Sequence, residues 1–177
     1  FMNSNLLYTV ISLLLLFAEL IYFRIADRFN IIDKPNERSS HKSITLRGGG
    51  IIFLFGSCLY VAFFGLQYPW FLTGLSLVAI ISFIDDIHSL PDSIRLVVQF
   101  IAMFLMFQQF GFLNWESWWI ILIALIVCVG VSNAYNFMDG INGITGGYSL
   151  AIMLPLIFIN AKTPFIDPNF LYVASLS

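Results

Sequence analysis

The stretch Phe71-Leu-Thr-Gly-Leu-Ser-Leu-Val-Ala-Ile-Ile-Ser-Phe-Ile84-Asp85-Asp86 decides the fold class, because an unbroken apolar run ends on two adjacent carboxylates. About 14 such residues rise roughly 21 Å as a helix, somewhat short of a hydrocarbon core of about 30 Å. A run of this kind reads as a membrane span, with its acids recessed at one mouth. The rest of the chain repeats the pattern. Comparable runs lie near 6–23, 51–66, 94–110, 117–134 and 147–159, and a seventh opens at Asn169 and reaches only Ser177. With 59% hydrophobic residues, 10% charged and a mean hydropathy of +0.90, the chain is far more apolar than a soluble domain, where about a quarter of residues are charged.

The expectation is therefore an all-α, polytopic transmembrane helix bundle. It has six complete spans plus a truncated seventh, all within one integral membrane domain over residues 1–177 that is incomplete at its C-terminus. The first run lacks a small-residue cleavage pattern and any preceding positive charge, so it reads as an anchor and not as a signal peptide. Cys58 and Cys128 both fall inside apolar runs and read as small buried hydrophobes.

Charge sets the orientation. Of eight Lys and Arg residues, six (Arg24, Arg28, Lys34, Arg38, Lys42, Arg47) lie between the first and second runs, which marks that loop as cytoplasmic. Alternating spans bring the segments around 85–93 and 136–145 to the same face, and the N-terminus to the outside. The four tryptophans, Trp70, Trp115, Trp118 and Trp119, fall at the opposite ends of the runs, as an interfacial aromatic belt requires.

Three strings on the cytoplasmic face could carry chemistry. The first, Asp33-Lys-Pro-Asn-Glu-Arg-Ser-Ser-His41-Lys42-Ser-Ile-Thr-Leu-Arg47-Gly48-Gly49-Gly50, places cations and glycines directly before a helix start. That is the composition of an anion cradle, because backbone and helix N-terminus can both approach a phosphate. An ordinary basic loop with a hinge is the plain alternative. The second is the Asp85-Asp86 pair. Two anions at the membrane boundary call for a metal ion or a cationic side chain, and neighbours on a helix point about 100 degrees apart, which assigns them different tasks. The third, Asn133-Ala-Tyr-Asn136-Phe-Met-Asp139-Gly-Ile-Asn142-Gly143-Ile-Thr-Gly146-Gly147, puts amides and a carboxylate three apart amid glycines. Close helix packing explains the glycines but not the Asn and Asp residues.

At these strings the chain resembles the polyprenyl-phosphate N-acetylhexosamine-1-phosphate transferases of glycosyltransferase family 4, membrane enzymes that begin peptidoglycan lipid, teichoic acid and O-antigen synthesis. The resemblance rests on Pro35-Asn-Glu-Arg-Ser-Ser-His41 with Arg47-Gly-Gly-Gly50, on Asp85-Asp86 followed by Arg95, and on Asn133-Ala-Tyr-Asn136-Phe-Met-Asp139-Gly. The wording of the first loop is closest to the branch that starts O-antigen or capsule chains on undecaprenyl phosphate.

The resemblance implies a bacterial inner-membrane phosphotransferase that moves a sugar-1-phosphate from a UDP-N-acetylhexosamine to a polyprenyl phosphate. It implies Mg²⁺, with Mn²⁺ as the alternative ion, and no nucleic acid; a homodimer is one assembly open to the chain, and the sequence does not decide the oligomeric state. Asp85, Asp86 and Asp139 would be catalytic, with Asp86 and Asp139 on the metal and Asp85 orienting or deprotonating the lipid phosphate; the reverse assignment of Asp85 and Asp86 fits nearly as well. Asn136, Asp139 and Asn142 would face the nucleotide, and Lys42, Arg47, Gly48 and Gly49 the phosphates. One departure is Asn142, where the family usually has Asp; an amide can still hydrogen-bond but brings no charge to a metal. The family's later loops, with a further metal-binding Asp and a histidine motif, would lie past Ser177, so this stretch alone is expected to be inactive. The rival classes are an ion-coupled secondary transporter, whose acids belong near the bilayer midplane, and a non-catalytic scaffold.

Overall fold

The structure is a computed structural model and describes residues 4–29, 32–33, 45–46, 48–113, 116, 118–138 and 143–177. Helix dominates it. The helices are α1 (Ser4–Arg28), α2 (Ile51–Phe64), α3 (Pro69–Ile87), α4 (Asp92–Gln109), α5 (Trp118–Met138), α6 (Ile144–Lys162) and α7 (Pro168–Leu176). The departure from an all-α chain is a two-residue antiparallel ladder between α1 and α2. There β1 (Ile32–Asp33) meets β2 (Thr45–Leu46), with Ile32 opposite Leu46 and Asp33 opposite Thr45.

Local chemistry sets the helix ends. Pro69 and Pro168 open α3 and α7, where a missing N–H costs nothing and the fixed φ suits the first turn. Asp167 caps α7 by accepting from the Asn169 N–H at 3.0 Å. Gly65, at φ 87°, stops α2.

Among the described residues four helical stretches are both long and apolar enough to cross a membrane: Asn5–Arg28, Pro69–Ile87, Trp118–Tyr135 and Ile144–Lys162. Their side chains face outward to an extent no water-soluble protein tolerates; Phe17, for example, is 64% exposed. The chain is a membrane protein. Four of the six expected complete spans thus meet both criteria. The α2 helix has 14 residues, about 21 Å of rise, while α4 is diluted by Asp92, Arg95, Gln99, Gln108 and Gln109.

Contacts gather the helices into two groups. In the first, α7 packs on α1, α2 and α6. Its core holds Ile11, Tyr60 and Val173, each essentially inaccessible. At one end of this group Tyr60 donates its hydroxyl to Asp167 Oδ2 at 2.6 Å, and Tyr8 donates to Asn169 Oδ1 at 2.6 Å. Buried Asn160 donates to the Ile166 carbonyl and accepts the Phe165 and Ile166 N–H groups, closing the turn from α6 into α7. In the second group α4 lies against both α3 and α5. The α3–α4 approach is close at Gly74, where a Cβ would fall 2.9 Å from the Ala102 carbonyl oxygen.

Candidate functional site

Asp85 and Asp86 occupy the last turn of α3, whose 19 residues continue through both acids to Ile87, with His88 N–H still donating to the Ile84 carbonyl at 2.7 Å. The helix is therefore about 28 Å long, and the acids ride on it instead of following it. The sequence-based run ended at Ile84 because charge interrupts hydrophobicity, whereas backbone hydrogen bonding ignores it. A carboxylate at a helix C-terminus meets the negative end of the macrodipole, an unfavourable position by about 0.3–1 kcal/mol each, and α3 has no basic residue in its last turn.

The compensation comes from α4. Arg95 Nη1 stands 3.3 Å from Asp85 Oδ2, with the two side chains 24% and 22% exposed. Asp85 Oδ1 accepts the Leu90 N–H at 2.7 Å, which ties down the short α3–α4 turn. Arg95 also reaches the fully exposed Asp92 at 3.9 Å, a looser arm of the same set. Asp85 is thus anchored, holding the loop with one oxygen and a cation with the other.

One turn along α4, Gln99 donates from Nε2 to Asn133 Oδ1 on α5 at 3.2 Å. Asn133 opens the third polar string, and Asn136 follows one turn later on α5, which runs as helix to Met138. The α4 helix therefore links the acid end of α3 to the start of the amide string of α5. Sequence reading named Arg95 and Asn133 as motif positions without giving either a partner, and it did not single out Gln99. A signal was available, since Arg95 and Gln99 lie four apart and interrupt one face of an otherwise apolar helix.

The phosphate-side candidates are placed in part. Gly48 takes a left-handed conformation at φ 78°, which a side chain would strain. Its carbonyl and those of Gly49 and Gly50 accept the Ile51, Ile52 and Phe53 N–H groups at 3.1–3.2 Å, so α2 starts with tight i→i+3 bonds. Among the described residues nothing comes within 4 Å of a Cβ built at Gly49 or Gly50. Among the described residues the same open space surrounds Gly146 and Gly147 in α6, and no described helix packs against either glycine. Lys42, Arg47, Asp139 and Asn142 lie outside the described residues, and for Asn136 the description covers the backbone in α5.

A metal ion is part of the expectation, and the donor set can be weighed against it. Asp86 and Asp139 would supply hard carboxylate oxygens, which suit Mg²⁺ and not a thiolate-loving ion. Among the described residues no group of three or more His, Cys, Asp or Glu converges on a point. Two protein carboxylates completed by phosphate and water oxygens is the usual Mg²⁺ arrangement.

Comparison with known proteins places the chain in a family. Over 166 residues the chain is 26% identical to the undecaprenyl-phosphate alpha-N-acetylglucosaminyl 1-phosphate transferase of Yersinia pestis, covering 84% of this chain and 46% of that protein. The Escherichia coli (strain K12) protein of the same name is 28% identical over 167 residues, covering 84% and 45%. The probable undecaprenyl-phosphate N-acetylglucosaminyl 1-phosphate transferase of Bacillus subtilis (strain 168) is 25% identical over 157 residues, covering 80% and 44%. The chain spans a little under half the length of these relatives. No solved structure matches it. The sequence profile of glycosyl transferase family 4 matches residues 68–176, which takes in all of α3, α4 and α5 with the acid pair and the amide string. By that match, the chain belongs to glycosyl transferase family 4.

Proposed function

We propose that the protein transfers an N-acetylhexosamine 1-phosphate from a UDP-sugar to undecaprenyl phosphate, releasing UMP and starting a cell-envelope polysaccharide. The observation that carries this reading is the alignment of 84% of the chain with transferases of that name, over a stretch whose acid pair sits at the end of a membrane-capable helix. In the reaction an oxygen of the lipid phosphate attacks the β-phosphorus of the UDP-sugar. The bond from that phosphorus to the bridging oxygen breaks, and UMP leaves with the electron pair. Such a transfer is dominated by positioning and by neutralising charge on two polyanions.

The residues divide that work. Asp86 and Asp139 would hold Mg²⁺, whose positive charge offsets the developing charge on the phosphates. Asp85 would orient or deprotonate the lipid phosphate, and Arg95 beside it keeps a cation where that phosphate arrives. Asn136, Asp139 and Asn142 would face the nucleotide, with Lys42, Arg47, Gly48 and Gly49 on the phosphates; the open space above Gly49 supports that role. The active-site loops would be cytoplasmic, the N-terminus outside, and six spans would cross the inner membrane, with α2 and α4 completing the set. A groove between spans would take the polyprenyl tail, and the O-antigen or capsule-initiating branch is the narrower assignment.

The test is UMP release from UDP-N-acetylglucosamine by the purified full-length protein. Release should require both undecaprenyl phosphate and Mg²⁺ and should fall by about 10³-fold in Asp86→Asn, the scale of losing an essential charge-stabilising group. Release without the lipid acceptor, or full activity in both Asp85→Asn and Asp86→Asn, sinks the proposal.

A further inference from the structure

Gln99 is 8% exposed and lies about 10 Å along α4 from its first residue. Three and four residues away on the same helix face lie Arg95, Leu96, Ala102 and Met103. Burying an amide is unfavourable unless its donor and acceptor are both satisfied, and here the compensation is partial. Nε2 reaches Asn133 Oδ1, while Oε1 is fully buried with no hydrogen-bond partner among the described residues. Methionine would fill the same volume and remove the fully buried orphaned oxygen, at the cost of the donor to the half-buried Asn133 Oδ1. What an amide supplies at this point, and a thioether cannot, is direction: it meets one atom of α5 at one register. Four residues earlier on the same helix, Arg95 holds Asp85, so a single stretch of α4 sets both the acid end of α3 and the start of the α5 amide string.

We propose that Gln99 is a positioning residue: its bond to Asn133 fixes the rotation and height of the end of α5, and thereby of the helix backbone that carries Asn136 on the donor side of the site. The inference rests on the function proposed above and adds a residue outside the site assigned there. Gln99 itself touches no substrate. Its loss should be felt by the nucleotide-sugar and hardly at all by the lipid, because Asp85 remains held by Arg95 and the Leu90 N–H.

The experiment uses the full-length protein in nanodiscs and varies each substrate separately. Gln99→Met should lower kcat/KM for the UDP-sugar by about ten-fold or more, the scale of a small misplacement of a binding group. KM for undecaprenyl phosphate should stay within about two-fold and Tm should not fall. The reciprocal swap, Gln99→Asn with Asn133→Gln, keeps two amides and the same number of methylenes across the gap and should restore most of the lost kcat/KM. Unchanged kcat/KM in Gln99→Met, or a loss shared equally by both substrates and accompanied by a lower Tm, overturns the proposal. A wild-type protein that transfers nothing from a UDP-sugar overturns the function proposed above instead. The tie is then read from melting alone, where Gln99→Met and Asn133→Leu must be non-additive, and additive shifts reject it.

Discussion

Around Asp167 the polar side chains close on one another. Tyr60 donates to one carboxylate oxygen, the Asn169 backbone and side-chain N–H groups donate to the other, Tyr8 donates to Asn169, and Asn160 satisfies the following turn. Phe170 packs edge-on against Tyr60 with ring centroids 5.1 Å apart. Around Asp85 and Gln99 the arrangement is less economical. Two acids share a helix end of unfavourable dipole, one anion is shared between a guanidinium and a loop N–H, and a buried amide keeps an orphaned oxygen. The first cluster looks like a joint, built to hold α7 against its neighbours. The second spends stability to place groups, which is the usual mark of a functional site.

Variants can break or sharpen that contrast. The largest effect belongs to Asp85→Asn, which keeps the acceptor for Leu90 but removes the anion. Transfer should fall by about 10²–10³-fold, or roughly 3–4 kcal/mol of transition-state stabilisation, measured as initial UMP release. Next is Gly74→Ala, whose Cβ would meet the Ala102 backbone at 2.9–3.2 Å. Overpacking against a backbone that cannot yield costs about 1–3 kcal/mol, seen as a lower Tm in detergent or nanodiscs. Tyr60→Phe should cost about 1 kcal/mol, the net worth of its bond to Asp167, and should leave kcat per folded molecule as it was. A fall in kcat there would place the Asp167 cluster on the functional side of the contrast. The smallest effect is expected of Asp92→Ala, since that side chain is fully exposed and 3.9 Å from Arg95. Both activity and Tm should match the wild type.

Much of this was legible in the order of residues. Four apolar runs near 6–23, 71–84, 117–134 and 147–159 correspond to membrane-capable helices, because hydropathy over about 20 residues reports the same quantity that lipid demands. The acid pair and the amide string were visible as charge and amide groups out of place. Their partners were not. Arg95 could be counted but not aimed, Gln99 is one amide within an apolar run and names no partner, and the β1–β2 ladder is too short to give a period-2 signal. The Asp167-Pro168-Asn169 start of α7 carries a capping signature, yet nothing local to it announces Tyr60, 107 residues away.

By itself the sequence determined that this is a helical membrane protein and which polar strings interrupt its apolar runs, because both properties are sums over neighbouring residues. The structure alone decided what Asp85 is anchored to, that α4 couples it to Asn133 through Arg95 and Gln99, and that α3 and α4 approach closely at Gly74. Those outcomes depend on side chains from different helices meeting at 3 Å, and a distance of that kind is set by packing that linear order does not encode.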